Sequence, residues 1–363
     1  MHHRTVTVTV AVLISALIAV HSAFAQVADK QQLPLVWVLS TGGTIAGQAS
    51  TSTNLTDYKP GLLGEELVKG VPELKNVARI QVEQIANVSS PDLTLANWLT
   101  LANRINAIYR DDSSVAGVVI THGTNTLEET AYFLNLTVKF DRPVVLVGSM
   151  RPATAISADG PLNLLNAVRA AIAPESRGKG VLVVLNEEIN GARDVTKTNT
   201  YRVETFKSPE LGLLGYVDGD RVVYYRASTK RHTVNSEFDV SSARALPKVD
   251  ILYSYIEPSS AFVKALVADG VRGIVFAGTG AGLISATERE ALTPLLQQPA
   301  ESRPVLVRSN RTGNGRVIAR DDYDKMGLIP ADNLNPQKAR ILLMLALTRT
   351  RDLREIQRMF DQY

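Results

Sequence analysis

The chain reads as an α/β protein, with a larger N-terminal domain whose mainly parallel sheet is flanked by helices and a smaller C-terminal α/β domain. Three observations predict this. From about residue 34, short apolar runs rich in β-branched residues alternate with longer amphipathic stretches. Those runs are continuously apolar, as strands covered on both faces must be, and the intervening helices supply the crossovers of a parallel sheet. The rhythm stops over residues 225–247, a polar segment with Arg226, Lys230 and Arg231, and then resumes. This divides the chain into a leader (1–25), an N-terminal domain (34–224), a linker (225–247) and a C-terminal domain (248–363).

The elements follow in order. Met1–Arg4 bring one firm positive charge, Val6–Val20 are apolar apart from small Thr and Ser, and Ala23-Phe24-Ala25 has the small-x-small form of a cleavage site. This is the pattern of an exported protein's signal peptide, and the run falls short of the roughly 20 residues of a membrane span. The expected product is exported to the periplasm and has no membrane anchor after leader removal. Leu35–Leu39, Val115–Ile120, Val144–Val147 and Val181–Leu185 read as buried strands. Thr126–Val138 reads as a helix capped by Thr126, with Glu129 completing a capping box, and Leu162–Ile172 as a helix started by Asp159-Gly160-Pro161. After the linker come strands at Val249–Tyr253, Ile274–Phe276 and Val305–Val307, a helix near Ser260–Ala268, and two closing helices, Pro336–Thr348 and Leu353–Phe360.

Composition excludes several chemistries. There is no cysteine, which removes disulfides, thiol nucleophiles and zinc–thiolate sites. Of five histidines, His2, His3 and His21 leave with the leader, so a three-histidine zinc site is impossible, and no G-x-S-x-G elbow suggests a serine triad. We expect neither metal nor organic cofactor. Without the leader, 38 basic residues face 36 acidic ones, a net charge of +2 that offers no electrostatic case for nucleic acid. A hydrolase built from this chain needs a hydroxyl nucleophile activated by Lys, Tyr or a carboxylate.

Three loops at strand ends carry the polar groups for such chemistry, where parallel α/β sheets place their sites. In Thr41-Gly42-Gly43-Thr44-Ile45-Ala46, two glycines allow a sharp turn and Thr44 presents a hydroxyl beside backbone N–H groups. The polar segment Gly47–Lys59 behind it, containing Tyr58, has the makings of a lid, although a plain surface loop would read the same way. Thr121-His122-Gly123-Thr124-Asn125-Thr126 crowds side-chain hydroxyls and an amide into one strand-to-helix turn; capping explains Thr126, leaving Thr121 and Thr124 open. His122 there reads as a structural hydrogen-bonder rather than a base. Asp194–Thr200, after a turn at Asn190-Gly191, sets Lys197 among threonines; a buried, neutral lysine can take a threonine's proton. Gly278-Thr279-Gly280-Ala281-Gly282 imitates a dinucleotide loop, but the third glycine of that motif would fall at Leu283.

These three loops, in this order, resemble those of the bacterial type II (periplasmic) L-asparaginases and glutaminase-asparaginases. Further similar stretches are Met150–Pro161 (MRPATAISADGP), Leu246–Leu252 (LPKVDIL) and Leu334–Thr350 (LNPQKARILLMLALTRT), and the likeness covers about residues 34–363. The resemblance implies hydrolysis of L-asparagine to L-aspartate and ammonia, with L-glutamine as a slower substrate. It implies that Thr44 is the nucleophile forming an acyl-enzyme and that Tyr58 helps to activate it. Thr124 and Lys197 would form a proton relay with an aspartate, and Ser90 and residue 125 would bind substrate. It also implies a homotetramer, a dimer of dimers in which two subunits complete each site.

Three positions depart from that pattern. Asn125 stands where the family usually has aspartate, Pro91 where it commonly has Gln or Glu, and Arg320 aligns best with the acidic residue lent by a neighbouring subunit, with Asp321 and Asp322 beside it. Asparagine accepts a hydrogen bond but brings no charge. A second reading follows: an exported amino-acid-binding or vestigial protein without turnover. Retention of Thr44, Tyr58, Thr124 and Lys197 favours the enzyme.

Overall fold

The computed structural model describes residues 33–363, so the leader read over residues 1–25 lies outside the described residues. The first half opens with β1 (Leu35–Gly42), a 3₁₀ turn at Thr44–Ala46, and the hairpin of β2 (Gly47–Ala49) and β3 (Tyr58–Pro60). Then come α1 (Gly64–Lys69), β4 (Arg79–Val88), α2 (Leu95–Asp111), β5 (Val115–Thr121), α3 (Leu127–Thr137), β6 (Val144–Val147), α4 (Gly160–Ile172) and β7 (Val181–Leu185). Short strands complete it: β8 (Glu188–Gly191), β9 (Thr196–Lys197), β10 (Phe206–Lys207), β11 (Gly215–Val217) and β12 (Val222–Tyr224). The second half holds β13 (Val249–Tyr253), α5 (Ala261–Ala268), β14 (Gly273–Gly278), α6 (Ala286–Leu296), β15 (Val305–Asn310), α7 (Asp321–Asp324), β16 (Leu328–Pro330), α8 (Pro336–Ala346) and α9 (Leu353–Gln362).

Eight strands form one sheet in the order β12-β11-β8-β7-β6-β5-β1-β4, with β4, β1, β5, β6 and β7 parallel and the other three antiparallel. The two-residue period of a strand sends alternate side chains to opposite faces. Val144 and Leu146 enter the core formed with α2 and α3, and Val145 and Val147 enter the one formed with α1 and α4. Each such side chain, fully withdrawn from water, contributes about 1.5–3 kcal/mol. The four parallel strands β13-β14-β15-β16 make the smaller sheet, with α5 and α6 covering one face. The α/β architecture expected from the sequence is therefore the one adopted.

The joint between the halves is apolar. Ile341 to Ala346 of α8 are completely buried, in one core with Val275 and Val307 of the small sheet and Leu134 and Leu136 of α3. That run is interior to this chain. The intervening segment 225–247 has a single 3₁₀ turn (Thr233–Asn235) and is held down by Phe238 and Val240, both about 1% exposed.

One local expectation changes. The turn after β7 is at Asn186-Glu187, both with positive φ, while Asn190 and Gly191 lie inside β8, paired with Val183 and Leu182. An antiparallel return to the same sheet buries Asn190, and its side chain accepts from Ser208 Oγ at 2.7 Å. Gly278–Gly282 folds on itself through mutual backbone bonds between Thr279 and Leu283, both 2.8 Å. The next helix starts only at Ala286, so this loop does not lead into a helix as a phosphate-binding turn would.

Candidate active site

Parallel pairing brings three loops to one end of the large sheet. Ser40 of β1 lies opposite Thr121 of β5, and Gly42 opposite Val88 of β4, so residues 43–46, 89–92 and 122–126 emerge side by side. They touch backbone to backbone. A Cβ on Gly43 would stand 2.1 Å from Gly123 Cα, and one on Gly123 would stand 2.8 Å from Ser90 Oγ. Gly43 also has φ +81, so the expectation that these glycines permit close approach holds through both crowding and conformation. Thr41 Oγ1 donates to the Thr121 carbonyl at 2.9 Å, and Thr121 Oγ1 to Ser40 Oγ at 3.0 Å, which ties the strand ends together below the loops.

Thr44 sits in the 3₁₀ turn, 6% exposed, with its hydroxyl 2.8 Å from that of Tyr58. The segment after it is the β2–β3 hairpin rather than an irregular loop, with Ala49 opposite Tyr58, and this pairing turns the phenol back onto Thr44. On the neighbouring loop Thr124 is 4% exposed, and Lys197 Nζ donates to Thr124 Oγ1 at 2.9 Å and to Asn125 Oδ1 at 3.1 Å. Lys197 reaches there from β9, which is only two residues long and pairs with β10. Half-buried, its ammonium is held below the usual lysine range by loss of hydration.

Ser90, 3% exposed, begins a 3₁₀ turn with Pro91 at its second position. Its Oγ accepts the Asn125 N–H at 3.2 Å, which leaves its own hydrogen free for a ligand. The Thr126 hydroxyl donates to the Ser90 carbonyl at 2.9 Å. The expected capping box from Thr126 and Glu129 is therefore not formed: α3 begins after Thr126 without a side-chain cap, because that hydroxyl is spent between loops.

His122 is wholly buried and occupied on both ring nitrogens. The Gly123 carbonyl, 2.7 Å from Nδ1, can only accept, so Nδ1 carries the hydrogen. Nε2 then accepts from Thr130 Oγ1 at 2.9 Å, and that oxygen accepts in turn from Trp98 Nε1 at 2.8 Å. Burial pushes the imidazole down to about 4. It has no free nitrogen for a reacting group.

Sequence reading missed two buried ions behind the site. Glu128 of α3 accepts from Asn335 Nδ2 and Gln337 Nε2 at 3.4 and 3.3 Å, and lies 4.0 Å from the ammonium of Lys338. Lys338 donates to the carbonyls of Arg193, at 2.8 Å, and Val195, and burial holds it at about 8. The signal was present in Leu334–Thr350, where a lysine occupies the third residue of a helix that runs on into the apolar Ile341–Ala346. Of the other departures, Arg320 and Asp322 pair with each other at the surface. Among the described residues, no three His, Cys, Asp or Glu side chains cluster as metal ligands.

The family model for the asparaginase N-terminal domain matches residues 35–230, and that for the glutaminase/asparaginase C-terminal domain matches residues 248–360. L-asparaginase 2 of Bacillus subtilis (strain 168) is 50% identical over 341 residues, spanning 93% of this chain and 89% of that protein. The glutaminase-asparaginase of Pseudomonas fluorescens biotype A is 45% identical, spanning 93% of each. The crystal structure of a probable cytoplasmic L-asparaginase from Campylobacter jejuni superposes with a TM-score of 0.88 at 47% identity, covering 91% of this chain and all of the other.

Proposed function

This chain belongs to the asparaginase family and is an amidohydrolase acting on L-asparagine; from that premise we propose that acyl transfer runs through Thr44. The observation that carries the assignment is the 2.8 Å contact between Thr44 Oγ1 and Tyr58 Oη, one loop away from Thr124, Asn125 and Lys197. Thr44 Oγ1 attacks the side-chain amide carbon and gives its proton toward Tyr58. The N–H groups of Thr44 and Thr124 meet no acceptor among the described residues, and they are our candidates for the oxyanion. The C–N bond breaks, the leaving nitrogen takes the proton and departs as ammonia, and the acyl group stays on Thr44. Lys197, poised as a base by burial, draws a proton through Thr124 from the water that releases aspartate. Ser90 and Asn125 bind the substrate's polar groups.

L-glutamine is proposed as a second, slower substrate, supported by the glutaminase-asparaginase relative. No metal or organic cofactor enters this scheme. Export to the periplasm is proposed from the leader pattern, and a catalytic N-terminal domain (34–224), a linker (225–247) and a C-terminal domain (248–363) from the compositional break. The homotetramer is proposed from the resemblance; the buried α8 run adds nothing to it.

Ammonia release from asparagine and glutamine by wild type and Thr44→Ala tests the assignment. Thr44→Ala is expected to abolish hydrolysis and to keep the wild-type circular dichroism. A covalent acyl adduct trapped on any other residue of the wild-type enzyme would sink it.

A further inference from the structure

Lys338 is the one lysine among the described residues whose side chain is essentially withdrawn from water, at 1% exposure, and nothing in the scheme above uses it. Burying an ammonium costs several kcal/mol unless it is paired and hydrogen-bonded. What holds it there is informative. Its Nζ donates to the carbonyls of Arg193 and Val195, and Glu128 lies 4.0 Å away. Two residues beyond Val195 is Lys197. Three residues before Glu128 is Asn125, and four before it is Thr124. One ammonium thus reaches both chain segments that meet in the 2.9 Å contact between Lys197 Nζ and Thr124 Oγ1.

The segment leading to Lys197 is anchored by the Ala192 N–H on the Val181 carbonyl and by a turn on the Gly191 carbonyl, with Val195 in the core, but the carbonyls of Arg193 and Val195 themselves accept from Lys338 alone. Between Gly191 and Thr196 there is no strand or helix, and the β9–β10 pairing covers only two residues on each side. Two carbonyls at i and i+2 converging on one buried donor set the direction in which the backbone enters β9. Glu128 is fixed independently, by Asn335 and Gln337 from the start of α8. Asp194 is hydrogen-bonded by Arg193, whose Nη1 donates to it at 3.1 Å, and it reaches Lys338 only as a nearby charge.

We propose that Lys338 is a positioning residue of the active site: it acts from the C-terminal half, through the Arg193 and Val195 carbonyls and Glu128, to hold Lys197 against Thr124. This rests on the reading of Lys197 and Thr124 as a proton relay. Displacement of a reacting group by about 1 Å can cost about a hundredfold in rate, so the effect belongs in kcat, while ground-state contacts through Ser90 and Asn125 stay in place.

The test uses the full-length enzyme with asparagine, at a temperature where each variant is folded by circular dichroism. Lys338→Met, similar in length but without donors, is expected to lower kcat about tenfold or more with KM changed far less. Lys338→Arg, which keeps charge and donors, should recover a substantial part. In a Lys197→Met background, adding Lys338→Met should lower the residual kcat no further, because the effect runs through Lys197. Wild-type kcat in folded Lys338→Met, or a full additional loss in the Lys197→Met background, overturns the inference. If Lys338→Met does not fold, Glu128→Gln carries the test: reduced kcat at unchanged KM supports the proposal, and wild-type kcat overturns it. A fully active Lys197→Met enzyme overturns the relay reading itself, a result distinguishable because it needs no change at Lys338.

Discussion

Asn125 differs from aspartate by one charge, at a point where that charge faces a half-buried lysine. Its Oδ1 accepts from Lys197 Nζ at 3.1 Å, and the lysine is held below its ordinary range by burial alone, with no carboxylate to counteract it. A negative neighbour favours the charged form, so Asn125→Asp raises the Lys197 pKa and delays the appearance of neutral base. Activity that needs neutral Lys197 rises as pH climbs through that value, so the rising limb of kcat moves to higher pH in the variant. A charge-assisted bond to the substrate's ammonium is roughly twice as strong as a neutral one, so KM for asparagine should fall. Profiles of kcat and KM from pH 6 to 10 decide this; a limb that stays in place or moves to lower pH counts against it. The placement of Thr44 and Lys197 in chemically suggestive loops was legible from residue type alone. The Lys338 ammonium was not, since only packing distinguishes a solvated lysine from a buried one.

At the scale of elements, the β2–β3 hairpin is what makes Thr44 and Tyr58 a pair. Fourteen residues separate them along the chain, and the antiparallel register of Ala49 with Tyr58 closes that distance to 2.8 Å. Gly47 lies underneath with φ −71, a conformation any residue tolerates. A methyl there would nevertheless meet Tyr58 Cδ2 at 2.7 Å and the Thr44 carbonyl at 2.8 Å. Gly47→Ala is therefore expected to shift the phenol and cost about tenfold in kcat, with a lowered melting temperature as well, because the Thr44 carbonyl must also give way. Unaltered kcat with the methyl present would mean that Tyr58 does not act through this contact. The sequence marked the segment as polar with one tyrosine, but hairpin or loop was undecided, because three-residue strands carry too little periodicity to recognise.

For the molecule as a whole, His122 couples folding to acidity. Its native pKa of about 4 lies below the ordinary histidine value near 6.5, because burial disfavours the imidazolium. The unfolded chain therefore takes up a proton that the native one refuses. The resulting stability is fully present above about pH 6.5 and is lost as pH falls through about 4, amounting to about 3 kcal/mol. Urea unfolding of wild type and His122→Gln at pH 7, 6, 5 and 4 should show a steeper acid decline in wild type; parallel curves would refute the coupling. The proposed tetramer is checked by sedimentation at assay concentration, where a fully active monomer would contradict it.

By itself, the sequence determined the α/β class, the strands β1, β5, β6 and β7 of the large sheet, and the identity of the hydroxyls and the lysine. Hydrophobic period and loop composition are local quantities, written within a few consecutive residues. The tertiary structure alone decided which polar groups meet: Gly43 against Gly123, Thr126 on the Ser90 carbonyl rather than on its own helix, Asn190 in a strand rather than a turn. It also decided that α8 is interior, with Lys338 buried beneath the Lys197 segment. Of these, the Gly43, Thr126 and Lys338 contacts join residues 36 to 145 positions apart, and all are selected by strand order and by the need to satisfy every buried donor and acceptor, conditions that no single stretch of chain expresses.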